Sequence, residues 1–136
     1  MVAMAFDLRE IFANLAEKEK LKGHHSPEGL AIRTFSRALT GWLAGNLRVL
    51  DVLVLCEQGM EDWLKSRLGL RPWSSRGLPD LLSRAIEQEL VTRLDAVRLQ
   101  KLHLVRVQLD DTGGAGNTRD AEGALELCIG VVDKHW

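Results

Sequence analysis

The sequence predicts an all-α, up-and-down bundle of about five helices. Three observations carry this. No stretch sustains the alternation of apolar and polar residues that marks a strand, apolar residues recur at spacings of three and four, and Gly, Pro and Asn divide the chain into segments of helical length. With no Tyr and only three Phe, the chain is also poor in the aromatic residues that strands favour. A chain of 136 residues supports one hydrophobic core and is short for two. The expected organisation is therefore a single domain over 1–136, with an N-terminal helix over 1–22 packing on the bundle and an internal loop at 110–117.

Each element has its own signals. The first helix runs from about Phe6 to Leu21, with Leu8, Ile11, Phe12 and Leu15 on one face and Glu17 to Lys20 opposite, and Gly23 ends it. Ser26, Pro27 and Glu28 supply a cap, a first-turn proline and a first-turn acid. From there Leu30, Phe35, Leu39, Trp42 and Leu43 form an apolar face up to Gly45 and Asn46. Whether that pair breaks the helix is open, because a helical glycine costs only about 1 kcal/mol.

The segment from Leu47 to Leu68 is the most apolar of the chain. Leu47, Leu50, Leu53, Val54, Met60, Trp63 and Leu64 make its main face, and Val49, Val52 and Cys56 widen it. A helix apolar over so much of its girth belongs at the centre of a bundle or in an interface. After the breaker-rich connection Gly69 to Gly77, Pro79 and Asp80 open a helix lined by Leu81, Leu82, Ala85, Ile86, Leu90 and Val91. A further helix covers about Thr92 to Leu109. Thr118 caps a last one with Ala121, Ala124, Leu125, Cys128, Val131 and Val132 facing inward.

Composition narrows the function. Eighteen basic against nineteen acidic side chains give a net charge of -1, so binding to nucleic acid requires a local patch. The longest nearly apolar window, near Leu50 to Cys56, falls far short of the roughly 20 residues of a membrane span. Charges at Asp7, Arg9 and Glu10 leave no signal-peptide core, and cytoplasmic residence is the expectation. Cys56 and Cys128 lie in apolar helical patterns without a CxxC pairing, which marks free buried thiols. His24 and His25 read as a solvated loop pair, and His135 is too isolated to assign. No metal site or cofactor is expected. Gly113, Gly114 and Gly116 follow no strand and precede no Lys-Ser/Thr, so they read as a loop and not a phosphate cradle.

The segment around Arg106 is the one that can be tested for an activity. Turning about 100° per residue, Leu94, Leu99, Leu102, Val105 and Leu109 share one arc of their helix, and Arg106 lies within it. A guanidinium there needs partners, and Asp95 and Asp110 fall on the same arc. Ala96, Leu104 and Val107 form a second apolar arc, so the helix is expected to meet protein on two sides. Trp73 between Arg71 and Arg76 offers another candidate, a ring and cations able to stack a base and hold a phosphate; the alternative is a tryptophan closing the end of the bundle.

The run Leu102 to Asp111, the preceding stretch Glu57 to Lys65 with its closing Trp-Leu-Lys, and the final Ala121 to Leu127 together resemble, in order, the HEPN superfamily of small helical-bundle proteins. The resemblance covers about residues 47–136. It implies a symmetric dimer through the central helices, RNA or nucleotide or a partner protein as ligand, and a prokaryotic stress or toxin-antitoxin setting. RNA-cleaving members carry an arginine followed by a polar residue and, a few positions on, a histidine. Here Arg106 matches, while Val107 replaces the polar residue, Asp111 stands in place of the histidine, and Glu61 sits where a lysine is often found. An aspartate of ordinary pKa is a poor general acid at neutral pH. His103, three residues before Arg106, is the alternative base. The expectation is a non-catalytic interaction module. The alternatives are a metal-independent endoribonuclease using Arg106 with His103 or an acid from Asp110 and Asp111, and a purely structural dimerisation domain.

Overall fold

The computed structural model describes residues 9–14, 16, 17, 20 and 27–135, and every regular element among them is helical. Five helices follow residue 26: α1 (Pro27–Leu43), α2 (Val49–Arg67), α3 (Leu78–Glu87), α4 (Arg93–Thr112) and α5 (Thr118–Lys134). Residues 9–14 are helical too, and Ile11 and Phe12 pack against the core. None of the described helices is long and apolar enough to cross a membrane. Ser26, His24 and His25 lie outside the described residues.

The most apolar helix is indeed central. α2 packs against all four others, and the sequence of contacts around it runs α1, α5, α4, α3. Its buried side chains are Val49, Val52, Leu53, Cys56, Met60, Trp63 and Leu64, together with Glu57 and Lys65. The expected main face needs correcting by part of a turn. Val54 is exposed and Leu50 only half-buried, whereas Val52 and Cys56, expected at the margin, are fully buried. On α1 the same shift leaves Leu30 and Leu43 exposed and buries Ala31, Ile32 and Ala38 beside Phe35 and Leu39. Small residues let α1 and α2 approach closely. A Cβ at Gly59 would stand 2.7 Å from the Phe35 ring.

Helix ends explain the other differences. Gly45 does break the chain: it takes φ 76, its N–H bonds to Trp42 O at 3.0 Å, and that of Asn46 bonds to Gly41 O at 2.9 Å. This double reverse bond caps the helix, so Leu47 sits in the connection to α2. The same bond pair closes α3, with Glu89 N–H on Ile86 O at 3.1 Å and Leu90 N–H on Ala85 O at 2.9 Å. Here the left-handed residue is Glu89, with φ 58, a conformation that glycine normally supplies. No glycine marks this end in the sequence, and Leu90 and Val91 lie beyond the helix although Val91 still reaches the core.

Thr92 caps α4, its hydroxyl accepting from the Asp95 N–H at 3.1 Å. The loop expected at 110–117 starts later. Asp110, Asp111 and Thr112 complete α4, which ends where Gly113 takes φ 66 and bonds to Leu109 O. Asn117, and not Thr118, caps α5 through a 2.9 Å bond from the Arg119 N–H. All six residues expected to face inward on α5 are buried, and the thiols of Cys56 and Cys128 are free and buried. Burial, with the neighbouring Cys56 thiol, pushes the Cys128 thiol well above its ordinary pKa.

The glycines of α2 and α5 should respond oppositely to the same substitution. Replacing a helical glycine with alanine normally stabilises by up to about 1 kcal/mol. Gly123→Ala, with nothing within 4 Å of the added carbon, should show that gain in urea unfolding. Gly59→Ala should instead destabilise by about 1 to 3 kcal/mol through overpacking against Phe35; equal effects at the two positions would contradict the packing described.

Candidate functional site

Arg106 faces a carboxylate contributed by another helix. Glu57, at the middle of α2 and buried, is the one acid among Leu53, Cys56 and Met60 on the core face. Arg106 Nη2 donates to Glu57 Oε2 at 2.8 Å and Nε to Oε1 at 3.5 Å. His103 lies one turn earlier on α4, and its Nδ1 is 3.0 Å from the same Oε1. A carboxylate already ion-paired to Arg106 can only accept, which assigns the imidazole proton to Nδ1. Asp110, one turn further along α4, stands 3.7 Å from Arg106 Nη1 and is largely exposed.

The electrostatics follow from this geometry. The hydrogen bond that Arg106 donates to Glu57 holds the guanidinium protonated beyond even its ordinary range, with the charges of Glu57 and Asp110 adding to the effect. One turn from Glu57 on α2, Glu61 is pushed towards its neutral form. Burial raises its carboxyl pKa, and the charge of Glu57 raises it further. A phosphate approaching Arg106 would thus meet a cation already engaged by Glu57 and Asp110, with the charge of Glu61 acting on it as well.

The expected partners of Arg106 are half right. Asp110 joins the cluster. Asp95 does not: it is buried at the start of α4 and pairs with Lys134 of α5 at 2.8 Å. Asp111 is exposed and does not join Arg106 or His103. The partner that sequence reasoning missed is Glu57, which lies 49 residues from Arg106, beyond any i, i+4 rule. Its signal was an acid on the most apolar face of the chain, a position that requires a cation from a facing helix.

The second candidate group separates. Trp73 does not close the bundle; it is 75% exposed, with the Arg71 guanidinium 5.4 Å from its ring centre. Arg76 turns away to Asp80, at 2.8 Å. His135 follows α5, with its ring 6.4 Å from that of the buried Trp63. No group of three or more His, Cys, Asp or Glu side chains able to hold a metal occurs among the described residues.

Compared with known protein families, curated proteins and solved structures, the chain matches none.

Chemically, the cluster is a clasp between α2 and α4. His103 has an oriented ring, as a general base requires, but the neighbouring guanidinium is not free to stabilise developing charge on a phosphate. Arg106→Leu should destabilise the protein by about 3 kcal/mol or more, because it leaves the Glu57 charge buried without its cation. The double variant Glu57→Leu with Arg106→Leu should recover most of that loss in urea unfolding. Strictly additive losses would show that the pair is not coupled.

The ion pair of Asp95 gives a pH signature. Burial alone would raise this carboxyl, but the Lys134 ammonium and the Thr92 hydroxyl outweigh it and hold the folded-state pKa below the ordinary value. A depressed folded pKa contributes stability above the unfolded pKa of about 3.9, lost as pH falls through the folded value. Asp95→Asn should therefore lower stability at neutral pH and flatten the decline below about pH 4. An unchanged acid limb in thermal unfolding would contradict the assignment.

Proposed function

We propose that this chain is a HEPN-like, self-associating helical module that works by contact and not by cleaving RNA. The observation that carries the reading is the outer face of α4. Leu94, Val97 and Leu104 are 59%, 58% and 56% exposed. Their spacing places them on one stripe, on the side of the helix away from Arg106. Beside the stripe, Pro79, Leu82 and Ile86 of α3 and Ala96 of α4 line an apolar groove of about 300 Å³. Three large apolar side chains on one helical stripe beside such a groove mark a contact surface.

The occupant that fits best is a second copy. Arg93 and Asp111 stand at opposite ends of α4, 18 residues apart by number, and 18 residues make about five whole turns. Both therefore point along the azimuth of the stripe. Antiparallel docking about a two-fold axis sets Arg93 of each copy against Asp111 of the other, with Leu104 of each copy beside the axis. Such an interface is self-complementary, as two-fold symmetry demands. Asp111, which stands where a cleaving relative would carry histidine, has a role in this arrangement.

The non-catalytic part rests on the clasp, since Arg106 is held by Glu57 and Asp110. A nucleic-acid contact is a second reading, favoured by the exposed Trp73 with Arg71 beside its ring. The stress or toxin-antitoxin setting implied by the family resemblance belongs with either.

Sedimentation at tens of micromolar, an order-of-magnitude working range, should give a two-subunit mass. Leu104→Glu should weaken association by about tenfold or more, some 1.4 kcal/mol, with helicity unchanged. A monomeric wild type would contradict the reading. Mixed RNA incubated in EDTA should stay intact, with any salt-dependent retention reduced by Trp73→Ala; cleavage abolished by Arg106→Ala would show an endoribonuclease instead.

A further inference from the structure

We infer that the groove between α4 and α5 binds an amphiphilic anion, an aliphatic chain ending in a carboxylate or a phosphate. The groove has two adjoining parts. One, of about 230 Å³, is floored by Leu53, Leu102, Val105, Ala124 and Leu127 and rimmed by Arg98, Lys101 and Arg119. The other, of about 620 Å³, shares Arg98, Gly123 and Leu127 with it and continues past Gly130 and Val131 to Ile11 and Lys134.

Charge selects the head group. Arg98, Lys101 and Arg119 are exposed, and none has an ion-pair partner among the described residues. In a chain with a net charge of -1, three unneutralised cations round one cavity are a local excess, and Asp120 is the sole acid lining that part. Arg119 also lies in the first turn of α5, where the helix dipole adds positive potential. An anion placed there gains charge-assisted hydrogen bonds from two helices at once.

The floor selects the rest of the ligand. It is aliphatic, with no aromatic ring to stack a base and no amide to read a base edge, so it fits a hydrocarbon chain and not a nucleotide. Gly123 and Gly130 carry no side chain into the groove, and a carbon added at either would meet nothing within 4 Å. From Gly123 the larger part runs on along α5 between Asp95, Glu126 and Lys134, so the aliphatic floor of the smaller part, beneath the rim cations, is the seat of the chain. Beyond it, Lys134 is already paired with Asp95, which leaves the Arg98, Lys101 and Arg119 end as the seat of the head group.

Titration calorimetry with decyl phosphate and decanoate, kept below their aggregation concentrations, tests this directly. Both should bind one per chain. The double variant Arg98→Ala with Arg119→Ala should weaken them by about tenfold or more. Gly123→Leu, which fills open space, should abolish binding while circular dichroism stays at the wild-type value and thermal stability does not fall below it. Failure of the wild type to bind either anion would overturn the inference. So would equally tight binding of decanol or inorganic phosphate, tighter binding of adenosine monophosphate, or indifference to both variants. Capture of the protein by phosphatidylglycerol vesicles without binding of the dispersed anions would assign the cations to a membrane surface and likewise overturn it.

Discussion

The buried carboxylate of Glu57 is the constraint on which the rest of the structure depends. It sits in the middle of α2, which touches each of α1, α3, α4 and α5 and where an unpaired charge would cost several kcal/mol. Among the described residues only α4 supplies the answer, and it must do so in one register, because His103 and Arg106 have to reach the same carboxylate. Non-directional packing of leucines against α2 would tolerate a slide or a rotation of α4. The clasp does not, and in fixing the rotation it also fixes what the other sides of α4 present.

Those sides account for the functional reading. With Arg106 turned to α2, Leu99 and Leu102 enter the core, Arg98 and Lys101 border the groove with α5, and Leu94, Val97 and Leu104 point outward. One helix thus serves as a core element, an electrostatic lock and an outward surface. The same geometry argues against RNA cleavage, since the guanidinium that would hold a phosphate is the one that neutralises Glu57. A cluster that stabilises the fold and one that stabilises a transition state need the same groups in different states of engagement.

Much of this was legible in the sequence, for identifiable reasons. Helix identity, the central place of α2 and the inward face of α5 follow from apolar spacing, which burial enforces strongly. An ion pair with Asp110 followed from the angular arithmetic of one helix, whereas Leu94, expected on the inward arc, is exposed, and the second arc divides, with Ala96 buried and Leu104 exposed. What was not legible depends on distance along the chain or on backbone strain. Glu57 and Arg106 meet only after α2 and α4 pack, and Asp95 finds Lys134 on a helix that sequence reasoning about α4 alone does not include. The end of α3 was hidden because Glu89, and not a glycine, takes the left-handed conformation. Trp73 could be read as plug or as exposed platform, since a single aromatic in a breaker-rich loop carries no periodicity to decide between them.

The central claim, that Glu57 holds Arg106 and His103 in one buried clasp, is tested most directly by nitrogen-15 magnetic resonance of the two side chains. The account predicts that Arg106 Nε–H exchanges slowly with water and that His103 at neutral pH carries its proton on Nδ1, with both signatures lost in Glu57→Gln. A rapidly exchanging Arg106 with the imidazole proton on Nε2, unaltered by that substitution, would contradict it.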